Sequence, residues 1–275
     1  MKSSCTVFLC LSLAAAGHAK TQKSGAPGSI KQSAVKPKNQ TVRKAESVSS
    51  HTSAPDAPSR PDAQPAVQTA PAKPSHEATA ELARLAVDLL ESGWRARCRA
   101  VKSIAVLSNN EPAIAPQAVS TLESSLKDDS LEVRKQVRSA LVDIAKNNHA
   151  LSDNISKILK EGFSSIDMEP SLERNMERKD FILSFGLLSI NTNVKVASDF
   201  MSVIAERALN DDLAPLKEQS VTVLGWIGER YPELTGQVIE RLKEIRNNTE
   251  KYSPVWSAAG DILELLIRQK FSRPL

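Results

Sequence analysis

Aromatic residues are scarce in this chain: three Trp, two Tyr and six Phe among 275 residues. A core with few large rings must be made mostly of Leu, Ile, Val and Ala, which suits thin layers of closely approaching helices. Cysteine is scarcer still. Cys5 and Cys10 fall within the first 19 residues and Cys98 stands alone afterwards, so beyond residue 19 no internal disulfide is available as a staple. The four histidines, His18, His51, His76 and His149, show no metal-ligand spacing. No Gly-rich phosphate loop, nucleophile elbow or Cys–His arrangement is present. Beyond residue 19 no apolar run is long enough to cross a bilayer as a helix. A non-enzymatic protein without cofactor or metal is therefore expected.

The sequence divides into three parts. Residues 1–19 have the form of an export signal: Lys2 supplies the positive start, Cys5 to Ala16 the short apolar run, and small residues precede Ala19,. Cleavage near Ala19 and a periplasmic or extracellular location follow as expectations. Residues 20–75 hold eight of the 15 prolines, and nine Lys/Arg against three acids. They have little to bury and read as a disordered basic linker. Such a segment is expected to feel a weak pull toward anionic envelope or membrane surfaces. Residues 76–275 carry 26 Lys/Arg and 29 Asp/Glu, so the net charge of +4 belongs to the linker.

The third part repeats itself. Around Arg134, Asp128 lies six residues before, Val137 three after, and Ala140-Leu141 six and seven after. Arg97, Arg178, Lys217 and Trp256 head the same pattern at spacings of 37, 44, 39 and 39 residues. Each unit reads as two amphipathic helices joined by a tight turn. Four of the five units place an acid in that turn: Glu91, Asp128, Asp211 and Glu250; the third has Leu172 there.

The stretches LKDDSLEVRKQVRSALVDIA (126–145) and LNDDLAPLKEQSVTVLGWIG (209–228) resemble the HEAT-repeat family. The resemblance implies an all-α fold over 76–275: an α-solenoid of about five HEAT-like helix pairs, right-handed, with a curved surface lined by the second helices. It also implies a scaffold or adaptor that binds a protein partner. Two alternatives stay open. One is an enzyme subunit of the HEAT-like lyase type, as in phycobilin lyases. The other is a cytosolic scaffold with a basic tail, resembling microtubule-associated proteins.

Several residues stand out. Arg97, Arg134, Arg178 and Lys217, with Glu91, Asp128 and Asp211 in the preceding turns, read as a ladder of partly buried ion pairs, each Arg facing the acid six residues before it. The Asp128-Asp129 and Asp211-Asp212 pairs read as helix-start carboxylates that accept backbone N–H bonds, not as an acid–base dyad. Arg95, Arg99 and Lys102 lie at i, i+4 and i+7 on one polar helix face, with Lys135 and Arg138 near its equivalent in the next unit. That face suits an acidic partner or simple solvation; specific nucleic-acid binding is not expected, because no aromatics interleave the charges. The surplus residues of the third unit, Ser164 to Glu177, read as an exposed loop bearing Ile166, Met168 and Met176. With Lys135 and Lys179 these form the expected partner surface. Cys98 reads as a half-buried inert thiol.

Overall fold

The structure is a computed structural model and describes residues 73–91, 93–166 and 171–272. The expected signal over 1–19 and all but the last three residues of the linker lie outside the described residues.

Helix starts are set by local chemistry. Ser75 caps α1 (His76–Asp88), its hydroxyl oxygen accepting the Ala78 amide at 3.1 Å. α2 (Trp94–Asn110) follows Gly93, whose φ of −90° is extended. The left-handed exit that glycine there leads one to expect is not used; Gly93 opens the next helix instead. A short 3-10 turn at Pro112–Ile114 leads into α3 (Ala115–Ser124), and α4 (Leu131–Asn147) follows the Asp128–Ser130 turn. α5 (Ser152–Ser164) and α6 (Leu172–Asn191) make the third pair. Asn193 caps α7 (Val194–Asn210), its side-chain oxygen accepting the Val196 amide. Proline occupies the first turn of α8 (Ala214–Arg230), α9 (Pro232–Asn248) and α10 (Pro254–Ser272), where its missing N–H has no partner to lose.

Each odd-numbered helix packs on the even-numbered helix that follows it, and α2, α4, α6, α8 and α10 stack side by side. The described residues therefore form a HEAT-like α-solenoid of five helix pairs, with no strand among them. The repeat register is the core register. Ile104, Leu141, Phe185, Leu224 and Leu263 occupy one position in successive repeats and all are buried. Fully burying such a side chain contributes about 1.5–3 kcal/mol.

Three of the six phenylalanines lie in the third repeat. Phe163, Phe181 and Phe185 pack edge-on or tilted, and Phe185 stacks on Phe200 with centroids 4.4 Å apart. Ile166 is buried at the end of this cluster, its N–H donating to the Phe163 carbonyl. It is core, not exposed loop. Met168 lies outside the described residues. From Leu172 onward the surplus stretch is not a loop at all: Ser171 caps it, accepting the Arg174 amide, and Leu172 to Glu177 form the first turns of α6.

Close helix approach in the C-terminal half involves three glycines, Gly186, Gly225 and Gly228. A Cβ on Gly186 would stand 2.8 Å from Cγ1 of Val223, and one on Gly225 would stand 2.9 Å from Cγ2 of Ile262. Gly236 in α9 faces open space. Gly186→Ala is expected to cost about 1–3 kcal/mol through overpacking, whereas Gly236→Ala is expected to add up to about 1 kcal/mol of helix propensity. Denaturant midpoints moving in the same direction for both variants would refute the close-approach argument.

Candidate functional site: the second-helix face and the charges beneath it

The ladder exists, but it runs between repeats. Arg97 binds Asp128 with two hydrogen bonds, 2.8 Å from Nε and 2.9 Å from Nη2, and also pairs with Asp129. Arg178 pairs with Asp211 and Asp212. In each case the carboxylate belongs to the turn of the following repeat. The acid six residues before meets its Arg through the main chain: the Glu91 carbonyl accepts from Arg97 at 2.9 Å and the Asp128 carbonyl from Arg134 at 2.7 Å. Lys217 likewise donates to the Leu209 carbonyl at 3.0 Å. The expected pairing of each Arg with its own turn acid is corrected accordingly. A long arginine side chain near the start of a second helix reaches sideways across the stack with Nε and Nη2, and only Nη1 turns back. The turn carboxylates also cap locally: Asp128 accepts the Ser130 amide at 2.8 Å and Asp211 the Leu213 amide at 3.0 Å.

The third repeat lacks a turn acid, and its helix extension replaces it. Glu173 and Glu177, on the added turns of α6, accept from Arg134 at 2.7 Å and 2.6 Å. Glu177 is buried and also meets Arg138 at 3.3 Å. Arg138 was expected on an exposed polar face; it is 1 % exposed. Its guanidinium lies over the Phe181 ring at 4.5 Å and 3.5 Å from Asp180. Burial pulls its pKa below the ordinary guanidinium value, against the opposing pull of Glu177 and Asp180. The register held the signal that could have revealed this: Arg138 aligns with Val101, Ile182 and Val221, and Glu177 aligns with Val133, Leu216 and Val255. Both charges occupy apolar columns.

Beside this cluster lies a cavity of about 500 Å³, lined by Asp128, Arg134, Ile166, Glu173, Glu177 and Phe181 among others. Its buried charges, Arg134 and Glu177, already satisfy one another.

The ladder makes the fold sensitive to acid. Burial alone would raise the Asp128 carboxyl, but hydrogen bonds from Arg97 and the Ser130 amide outweigh it and hold the pKa below the usual carboxylate value. A group with a depressed folded pKa contributes stability above its unfolded value, near pH 4, and that contribution is lost as pH falls through the folded value. Melting temperatures are therefore expected to drop below about pH 4, and Arg97→Gln is expected to flatten that drop. An unchanged acid profile in the variant would remove Asp128 from the account.

The opposite side of the second helices faces solvent. On α2 it presents Arg95, Arg99, Lys102 and Val106; on α4, Lys135; on α6, Met176, Lys179 and Leu187; on α10, Leu265. Trp226 of α8 is half-buried there, its ring near Gly186. Of the expected partner surface, Lys135, Lys179 and Met176 thus share one exposed face, while Ile166 does not reach it. Cys98 is a free, half-buried thiol whose pKa is pushed up, mainly by burial.

No protein-family model matches the sequence, and no curated protein does. Among solved structures the chain is similar to a designed armadillo repeat protein in complex with peptide (KR)4, with a TM-score of 0.45 at 19% identity over 67% of this chain and 81% of that one. A second designed armadillo repeat protein gives 0.43 at 18% over 67% and 82%. An engineered protein gives 0.44 at 15% over 68% and 79%.

Proposed function

We propose that this chain is an exported, non-enzymatic adaptor that holds a protein partner against the exposed face of its second helices. The observation that carries the reading is the apolar content of that face. Val106, Met176, Leu187 and Leu265 are 58 %, 48 %, 38 % and 43 % exposed, and all four lie on second helices. Stacked repeats sum into one long surface, and exposed apolar side chains on it gain by being covered. In this reading residues 1–19 are removed on export, and residues 20–75 tether the solenoid with weak attraction to anionic envelope surfaces.

The test compares full-length chain with a Leu187→Glu/Leu265→Glu variant as immobilised bait in native extract, read by quantitative mass spectrometry. Proteins retained by the former and lost by the latter are the expected result. Identical recovery by the two baits counts against the face. Mass spectrometry of the mature N-terminus tests export; an intact Met1 would remove it.

A further inference from the structure

The exposed cations of the first helices and those on the solvent face of α2, α4 and α6 are treated differently, whereas on α10 Arg268 pairs with Glu264. On the first helices, each exposed Lys or Arg has a carboxylate beside it: Arg84 with Glu81 and Asp88, Lys157 with Glu161, Lys195 with Asp153, Arg241 with Glu244 and Lys243 with Glu240. On the solvent face of α2, α4 and α6, Arg95, Arg99, Lys102, Lys135 and Lys179 are exposed. None of these five forms an ion pair with a carboxylate among the described residues. The Arg95 guanidinium lies over the Trp94 ring, 4.9 Å from its centroid. Exposed acids on the α4 face, Glu132 and Asp143, are too few to balance them. Like charges one turn apart repel, so the free protein holds a strip with a net positive excess, five cations against Glu132 and Asp143.

The strip has a direction. Its charge lies on α2, α4 and α6. Apart from Val106 on α2, its apolar side chains, Met176, Leu183, Leu187, Trp226 and Leu265, lie on α6, α8 and α10. Neighbouring helix axes lie about 8–10 Å apart, so five stacked helices span roughly 32–40 Å, the length of about 10–12 extended residues.

We infer that the face takes an extended acidic segment of a protein partner, with its Asp/Glu residues over α2–α6 and its apolar residues over α6–α10. This inference rests on the proposed adaptor function and specifies its partner. Charge complementarity selects the occupant. The chain's own linker, with nine Lys/Arg against three acids, is repelled by the strip and is not that occupant. The half-buried Trp226 supplies a rigid apolar floor of the kind on which binding energy concentrates.

The probe is a displayed library of random 12-residue peptides selected on the full chain. Enriched peptides are expected to carry Asp/Glu toward one end and Leu, Ile, Phe or Trp toward the other. Their affinity is expected to fall by at least about tenfold in an Arg99→Glu/Lys102→Glu/Lys135→Glu variant and to weaken with added salt. Lys-for-acid versions of the same peptides should regain binding to that variant. All three positions are solvent-exposed, and circular dichroism melts confirm that the variant folds. Enriched peptides without net negative charge, released by Leu187→Glu/Leu265→Glu, would overturn this inference and leave the adaptor reading standing. Peptides indifferent to both variants, or no enrichment at all, would overturn both. Binding to phosphatidylglycerol vesicles through the three cations, without any peptide preference, would assign the strip to a lipid surface and overturn the inference.

Discussion

Glu177→Val is expected to cost about 3–5 kcal/mol, because it removes the carboxylate shared by Arg134, Arg138 and Arg174 and leaves the buried Arg138 with Asp180 at 3.5 Å as its remaining carboxylate,. For a domain of this size the melting temperature would fall by roughly 10 °C. The informative companion is Arg138→Val/Glu177→Val. Those are residues that other repeats carry in the same columns: Val101 and Val221 for position 138, Val133 and Val255 for position 177. Replacing a buried pair by apolar side chains is often neutral or stabilising. Arg134 would keep Glu173 and the Asp128 carbonyl. The double variant is therefore expected to recover most of the loss. A double variant as unstable as the single one would show that the pair does not account for the effect.

The second large effect is expected at Arg178. Its side chain and that of Asp211 are both buried, and Arg178→Met would leave the Asp211 carboxylate with the Leu213 amide as its main partner. The expected loss is again about 3–5 kcal/mol. Lys217 occupies the same column but is half-buried and holds a main-chain carbonyl. Lys217→Met is expected to cost only about 1–2 kcal/mol. Equal midpoints for the two variants in chemical denaturation would show that position in the column, not the buried carboxylate, sets the cost.

The helix pairs, their number and their core columns were legible in the sequence because a stacked repeat imposes its period on every layer. Arg97, Arg134, Arg178 and Lys217 were found in this way. The direction of their pairing was not legible. Spacing along the chain locates a column, but the choice between an acid six residues back and one in the next turn depends on side-chain reach across the stack. The third repeat misled for a different reason. Its extra residues have the composition of a loop, yet Ser171 caps them into helix, and the surplus supplies the acids that the turn lacks. Ile166 followed the Phe cluster into the core, a tertiary preference that periodicity does not encode. Arg138 is hidden in the sequence because its polarity suits a solvent face, whereas its column, shared with Val101, Ile182 and Val221, lies in the core.

The ionic rungs are distributed unevenly along the stack. The first three junctions between repeats each carry one: Arg97 to Asp128, Arg134 and Arg138 to Glu177, and Arg178 to Asp211. At the fourth, between α8 and α10, the close contacts are apolar, Gly225 on Ile262 and Gly228 on Leu266, and the column residue placed to reach across, Lys217, binds the Leu209 carbonyl instead. Protonating Asp128 loosens the first junction and has no such purchase on the fourth. Acid below about pH 4 should therefore split one cooperative unit into two, with amide exchange accelerating first through α1–α4 while α7–α10 stay protected as a separate foldon.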